Sequence, residues 1–130
     1  MASIFSKIVE GEIPCYKVAE TEEYLAFLDV FPLVKGHVLV IPKKETDYIF
    51  DIESKEYEGL WSFAKSVAKG MKSVLPCKRI GVSVIGLEVP HAHIHLIPMN
   101  EVGDMNFAKP KLKFSDEEME EVRSLIAKEL

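Results

Sequence analysis

The chain has 130 residues, of which 48% are hydrophobic and 28% are charged, so its length and composition predict one globular domain over residues 1–130 and exclude a disordered or collagen-like chain. Its 21 acidic and 16 basic side chains give a formal net charge of -5, which argues against nucleic acid or an anionic membrane as a partner and requires a locally positive pocket for any anionic ligand. No apolar run is as long as a membrane span and no signal-peptide pattern begins the chain, so we expect a cytoplasmic protein.

The first half of the chain predicts a short helix followed by three strands. Ser3 is a plausible helix N-cap, and the apolar residues between Ile4 and Val9 share one helical face. Residues 17–20 and 24–29 are short β-prone runs, which predict a hairpin. Residues 37–42 are nearly all apolar and rich in β-branched side chains, so we expect a central third strand.

The second half predicts one long helix and two further strands. Apolar residues recur every three or four positions over residues 54–75, a spacing typical of an amphipathic helix packed on a sheet. Residues 80–85 and 91–97 predict the fourth and fifth strands. The short connection around Gly86 predicts that these two strands pair antiparallel.

A last helix is predicted from Ser115, because Ser115 and Glu118 have capping-box spacing. The residues that this helix is expected to bury are Met119, Val122, Leu125 and Ile126. Together these elements predict an α+β fold: an antiparallel sheet of about five strands with one long helix and a C-terminal helix, all helices lying on one side of the sheet.

Three of the four histidines fall in one alternating run, at His91, His93 and His95. On a strand this alternation puts the imidazoles on one face and the intervening apolar residues on the other, toward the core. Next-but-one residues of a strand lie about 7 Å apart, so one zinc ion cannot bind all three, although two neighbours together with His37 could. The run leaves three interpretations: structural histidines, a metal site or metal-free catalysis.

Metal-free catalysis is the interpretation that we favour. A neutral imidazole is a good nucleophile toward phosphorus, and an ordinary pKa of about 6.5 makes it available at neutral pH. Neighbouring imidazoles can donate hydrogen bonds to phosphate oxygens or protonate a leaving group. The run therefore indicates phosphoryl or nucleotidyl transfer.

Four segments that precede the histidine run extend this pattern. They are SIFSKI at 3–8, EIP at 12–14, AFLD at 26–29 with Pro32, and GHVLVIPK at 36–43. In this order, and followed by His-x-His-x-His and apolar residues, they resemble the nucleotide-binding branch of the histidine triad (HIT) family. The resemblance runs from about residue 3 to residue 98 and thins beyond it, so residues 100–130 are expected to form a C-terminal extension.

The resemblance implies a role for each histidine. His93 would attack the α-phosphate of a nucleotide conjugate and form a transient nucleotidyl-histidine, from which water would release the nucleoside monophosphate. His95 would contact the phosphate or the leaving group, while His91 and His37 would orient and tune the nucleophile. Asp29 would accept hydrogen bonds from the ribose hydroxyls, although a turn residue at a strand end explains it as well.

The resemblance also implies an apolar wall around the base and the sugar. The residues of this wall would be Ile4, Phe5, Ile8, Phe27, Leu28 and Val30. Ligand pockets commonly combine such apolar surface with a few polar groups. Plain core packing is an equally good explanation for these residues.

The segment just before the histidine run departs from the family's pattern. Relatives usually carry an Asn in the fourth strand and then Gly-Gln-Ser or Gly-Gln-Thr, whereas this chain lacks that Asn and has Glu88 where the hydroxyl residue would fall. A carboxylate about 4 Å from a phosphate costs on the order of 4 kcal/mol at an effective dielectric constant of about 20. We therefore expect Glu88 to turn outward, with the phosphate held by backbone N–H groups near Val89 and by His95.

No metal or cofactor is expected. The N-terminal Cys pair with which some relatives bind zinc is absent, and Cys15 and Cys77 form no C-x-x-C motif. The resemblance implies a homodimer that acts as a nucleotide phosphoramidase or related hydrolase on a purine nucleotide or nucleotide conjugate. Two alternatives remain open: a nucleotide-binding module with little turnover, and a metal-dependent hydrolase.

Overall fold

The computed structural model describes residues 2–130, in which three α-helices and five strands follow one another. Their bounds are α1 (Ile4–Val9), β1 (Lys17–Glu20), β2 (Tyr24–Leu28), β3 (Val38–Pro42), α2 (Ser54–Val74), β4 (Arg79–Ser83), β5 (Ile94–Met99) and α3 (Asp116–Ala127). The predicted α+β fold is confirmed. Among the helices within residues 2–130, none combines the length and the apolar composition that a membrane span requires.

The five strands form one antiparallel sheet in the order β1-β2-β3-β5-β4. β3 lies in the middle, where Val40 pairs with Ala26 of β2 on one side and with Ile94 of β5 on the other. The central position predicted from the apolar sequence of β3 is therefore confirmed. β1 and β4 are the edge strands.

The two faces of the sheet pack against different helices. Alternate side chains of the central strands, such as Val40 and Ile94, join the larger core beneath α2 and α3. The opposite face packs against α1, where the rings of Phe5 and Phe27 lie 5.6 Å apart. The expectation that all helices lie on one side is therefore wrong for α1, because Phe5 fills the second apolar face.

The connection between β4 and β5 is longer than the sequence predicts. β4 ends at Ser83 and β5 begins only at Ile94, so residues 84–93 form a loop. The N–H of His91 bonds within this loop, and the N–H of the next residue donates to the carbonyl of Thr46 at 2.7 Å. Because neither group bonds to β4, the first two histidines of the run precede the strand.

The C-terminal helix begins where the sequence predicts. The hydroxyl of Ser115 accepts a hydrogen bond from the N–H of Glu118, and the Glu118 carboxylate accepts one from the N–H of Ser115, each at 3.1 Å. Three of the four predicted core residues of α3 are buried. Leu125 is the exception at 43% exposure, because it lies at the edge of the buried face, beside Leu75.

Candidate active site

A cavity of about 360 Å³ lies between α1, the turn after β2, the start of β3, the loop before β5, the start of β5 and a C-terminal segment. The predicted site residues that line it are Phe5, Asp29, His37, Glu88, Val89, His93 and His95. Three of the four histidines thus meet at one cavity. The lining residues that the sequence does not indicate are Phe31, Leu39, Ile85, Gly86, Leu87, Phe107 and Lys111.

The other predicted site residues lie outside this lining. They are His91, Ile4, Ile8, Phe27, Leu28 and Val30. Leu28 belongs to the larger core on the opposite face of the sheet, while Phe27 is buried against Phe5 with Ile8 packed beside them. Ile4 and Val30 are 50% and 49% exposed. Leu28 therefore faces away from the cavity, while the role of Ile4, Ile8, Phe27 and Val30 as walls of a base pocket remains a prediction.

A backbone carbonyl determines which ring nitrogen of His93 is available. Nδ1 of His93 lies 2.8 Å from the carbonyl oxygen of His91. Because a carbonyl only accepts, Nδ1 carries the proton, and the neutral ring has its lone pair on Nε2. Nε2 makes no hydrogen bond within residues 2–130, and the ring lines the cavity. Phe5 packs edge-on against the ring at a centroid distance of 5.0 Å and restricts its rotation.

Two successive hydrogen bonds, through His37, determine the proton position in His95. The N–H of Leu33 donates to Nδ1 of His37 at 3.1 Å, so His37 carries its proton on Nε2. This Nε2 donates to Nδ1 of His95 at 2.9 Å, and neutral His95 therefore carries its proton on Nε2. The ring centroids of His93 and His95 lie 5.0 Å apart. The lone pair on Nε2 of His93 and the N–H donor on Nε2 of His95 therefore belong to neighbouring rings.

His91 lies outside the cavity, and its carbonyl is the group that binds Nδ1 of His93. Its ring is fully buried, with Nε2 donating to the carbonyl of Pro42 and Nδ1 accepting from the hydroxyl of Ser3, each at 2.8 Å. Glu45 in turn accepts a hydrogen bond from the N–H of Ser3 at 2.6 Å. These bonds connect the start of α1 to the end of β3 and hold in place the residue whose carbonyl bonds His93.

Burial keeps the supporting imidazoles neutral. It is the main cause that lowers the pKa of His37 to about 4 and the pKa of His95 to about 3, and the charges of Lys111 and neighbouring histidines act in the same direction. Burial also lowers the pKa of His91. At neutral pH these three rings are therefore uncharged, as the tautomer assignment requires.

Asp29 faces the same pair of rings and completes a group that could hold a metal ion. Its Oδ2 lies 3.7 Å from Nε2 of His37, and one ligand atom each from Asp29, His37 and His95 lie within 4.8 Å of one another. The sequence predicted a metal site of His37 and two neighbouring histidines of the run. In the structure, the group has only one histidine of the run, His95, and Asp29 takes the place of the other. Nε2 of His37 and Nδ1 of His95 are hydrogen-bonded to each other, so a metal ion would have to replace that hydrogen bond.

Glu88 and Val89 contribute to the lining from the loop before β5. Glu88 is exposed, and the N–H of Val89 makes no hydrogen bond within residues 2–130. This arrangement permits an outward turn of the carboxylate and phosphate binding at the free N–H. Both remain predictions.

Residues 106–114, here called the C-terminal strap, bring two unpredicted side chains to the cavity. The ring of Phe107 lies 4.9 Å from the ring of His95 and 6.5 Å from that of His37, and Lys111 lines the cavity beside it. The strap has no regular secondary structure. It therefore carries no periodic sequence signal that could have placed it at the site.

An α+β fold with histidines gathered at one cavity beside the central strands of its sheet defines a protein of the histidine triad class. A family model described as the HIT domain matches residues 10–102. A Schizosaccharomyces pombe protein named adenosine 5'-monophosphoramidase is 37% identical over 133 residues, which cover 97% of this chain and 99% of that protein. The chain therefore belongs to the HIT family.

Solved structures agree with this assignment. The crystal structure of a HIT-like protein from Bartonella henselae matches with a TM-score of 0.86 at 28% identity, covering 98% of this chain and 96% of that one. A hypothetical histidine triad nucleotide-binding protein from Sulfolobus tokodaii matches with a TM-score of 0.82 at 27% identity, covering 96% and 89% of the two chains. The five-stranded sheet with its flanking helices is thus the fold of this family.

The buried neutral histidines predict a loss of stability on acidification. Between pH 6.5 and pH 4 the unfolded chain protonates His37 and His95 while the folded protein does not, so stability falls as pH falls through 6.5. At pH 5.5 each ring should lower the free energy of unfolding by about 1.4 kcal/mol relative to pH 7.5.

Urea unfolding measures this loss, and NMR titration of the ring protons assigns it. The signals of His37 and His95 should stay at their neutral positions down to pH 5, while in the urea-unfolded chain both should titrate near pH 6.5. A midpoint near 6.5 for either ring in the folded protein would contradict the assignment.

Proposed function

We propose that this protein hydrolyses conjugates of a purine nucleoside monophosphate, such as a phosphoramidate, through a nucleotide bound covalently to His93. One observation carries the proposal: the hydrogen bond from His93 Nδ1 to the carbonyl of His91 leaves Nε2 as an open lone pair at the cavity. A buried imidazole held in this tautomer needs no separate base to act as a nucleophile. The proposed setting is the cytoplasm.

The reaction takes two displacements at phosphorus. In the first, the Nε2 lone pair of His93 bonds to the α-phosphorus, and the leaving group departs with the electrons of its bond to phosphorus and a proton from solvent. The substituted ring is cationic, and the carbonyl of His91 stabilises the proton that remains on Nδ1. In the second, water attacks phosphorus, Nε2 regains its lone pair, and the nucleoside monophosphate and a proton are released.

The other histidines act in this scheme as donors and supports. His95 donates a hydrogen bond from its Nε2–H to a phosphate oxygen, a role that fits a ring kept neutral by burial and oriented by His37. His91 positions the carbonyl that orients the nucleophile. Asp29 accepts hydrogen bonds from the ribose hydroxyls at the cavity edge.

The comparisons support the substrate class. The Schizosaccharomyces pombe relative is named for adenosine 5'-monophosphoramidase activity, and the Sulfolobus tokodaii neighbour is named a histidine triad nucleotide-binding protein. A nucleotide-binding module with little turnover is the second candidate. Glu88 favours it, because a carboxylate in the lining opposes the charge that builds up on the phosphate.

Removing the imidazole of His93 tests the proposal. His93→Gly should hydrolyse adenosine 5'-phosphoramidate at least about a thousandfold more slowly than the wild type, because the first displacement loses its nucleophile. It should keep its affinity for adenosine monophosphate within about threefold, since His95 and the backbone donors remain. Added free imidazole should restore part of the turnover.

The control is the same imidazole concentration added to the wild type, which should leave its rate unchanged. Hydrolysis by His93→Gly at the wild-type rate would refute covalent catalysis at His93. Tight binding of adenosine monophosphate by a wild-type protein that releases no product would favour the binding module instead.

Metal dependence separates the nucleophile from the metal-assisted alternative at Asp29, His37 and His95. Dialysis against a chelator should leave phosphoramidate hydrolysis unchanged, since the His37–His95 hydrogen bond occupies the nitrogens that a metal would need. The measurement is initial rate before and after dialysis, with zinc content determined in the same samples. Loss of activity that stoichiometric zinc restores would establish the metal-dependent reaction.

We also propose a homodimer formed along β4 and the neighbouring α2 surface. β4 is an edge strand, and Val82 on it is 49% exposed, with Leu87 nearby in the chain at 88%. On α2, Trp61 Nε1 is buried without a hydrogen-bond partner within residues 2–130. A second copy would pair the open edge and cover the exposed side chains of Val82 and Leu87.

Light scattering tests the dimer, which should have twice the 14.7 kDa mass of one chain. Val82→Asp should dissociate it, because the substitution buries a charge at the proposed interface. Val30→Asp is the matched control, since Val30 is also 49% exposed and follows β2, which β3 and β5 separate from β4. A monomeric wild type, or equal dissociation by both variants, would disprove this interface.

A further inference from the structure

The cavity carries an uneven set of charges for a site that holds a phosphate. Two carboxylates, Asp29 and Glu88, and one ammonium group, Lys111, belong to its lining, and the supporting histidines are neutral. With a formal net charge of -5, the rest of the chain does not attract an anion either. Among the lining residues, Lys111 is therefore the only fixed positive charge available to a bound anion.

The C-terminal strap is held in place over the cavity rather than hanging free. The N–H of Leu112 donates to the carbonyl of Pro32 at 2.9 Å, which ties the strap to the turn that follows Asp29. On the inner side, the ring of Phe107 packs edge-on against His95 at 4.9 Å. These two contacts flank Lys111 and bring it to the lining.

The ammonium group of Lys111 is held in position by one hydrogen bond and keeps free N–H donors. Its Nζ donates to the carbonyl of Phe107 at 2.7 Å and lies 5.6 Å from the centroid of that ring. An ammonium group has three N–H donors, so two remain for a ligand. Its charge acts on the imidazoles of His37 and His95, whose pKa values it helps to lower, which is consistent with an ammonium group close to these rings.

Neighbouring lysines on the strap do not share this position. Lys109 and Lys113 are exposed, as Lys111 is, but neither belongs to the cavity lining. The loop on the other side of the cavity supplies Leu87 and Glu88, which offer no side-chain donor to a phosphate. A donor for the phosphate must therefore come from the backbone, from His95 or from Lys111.

We propose that Lys111 binds the phosphate of the nucleotide ligand and is the residue by which this cavity distinguishes a phosphorylated nucleoside from the bare nucleoside. The proposal rests on the nucleotide site proposed above. It makes the strap part of the binding site within the same chain, and it makes Lys111 a substrate-binding residue that touches the reacting group.

Calorimetry on the full chain tests this with adenosine monophosphate and adenosine as probes. Lys111→Met keeps the length of the side chain but removes its charge, so it should weaken adenosine monophosphate binding roughly tenfold, the effect of losing one charged hydrogen bond. Adenosine binding should change less than about twofold. Lys111→Arg should restore most of the lost affinity, and added salt should weaken nucleotide binding less in Lys111→Met than in the wild type.

Lys113→Met is the matched control, since it removes the same charge from the same strap outside the cavity, and it should bind both probes as the wild type does. Equal effects of Lys111→Met on both probes, no effect on either, or the same loss in Lys113→Met would each overturn the proposal. A wild type that binds adenosine monophosphate no better than adenosine would do the same.

The proposed catalysis fails separately, and the two failures can be told apart. If the wild type discriminates between the probes through Lys111 but does not hydrolyse adenosine 5'-phosphoramidate, the phosphate-binding role stands and the hydrolase proposal falls. If hydrolysis depends on His93 but Lys111→Met binds both probes like the wild type, the hydrolase proposal stands and the phosphate-binding role of Lys111 falls.

Discussion

The carbonyl oxygen of His91 is the group on which the rest of the site depends. By accepting the Nδ1 proton of His93 at 2.8 Å, it leaves a lone pair on Nε2 at the cavity. A second backbone group, the N–H of Leu33, sets the opposite tautomer in His37 and, through it, an N–H donor on His95. Two main-chain groups thus leave a lone pair on one imidazole and an N–H donor on another, while burial keeps His37 and His95 uncharged.

The central strands explain why these groups meet. His37 precedes β3, and β3 pairs with β5 so that Leu39 lies opposite His95. The carbonyl of Pro42, at the other end of β3, accepts a hydrogen bond from Nε2 of His91. Both hydrogen-bond chains are therefore fixed to one strand in the middle of the sheet, and Phe5 of α1 closes the apolar face beside them.

Periodicity made most of the fold predictable from the sequence, and the histidine run made the centre of the site predictable. The start of β5 was missed because hydrogen bonds to the loop and to Thr46 hold the residues before Ile94 out of the ladder. Leu28 was expected at the site but faces the other core, since alternation along a strand does not reveal which face a cavity occupies. Phe107 and Lys111 reach the cavity through tertiary contacts of an irregular segment, which no local pattern encodes.

The most direct test of this account is the proton position on each ring, read from the nitrogen-15 shifts of the four histidines at pH 7.5 in the ligand-free protein. The account predicts that His93 alone carries its proton on Nδ1, while His37, His91 and His95 carry theirs on Nε2. A proton on Nε2 of His93 would mean that the nitrogen facing the cavity has no lone pair to offer phosphorus, and the proposed chemistry would be contradicted at its first step.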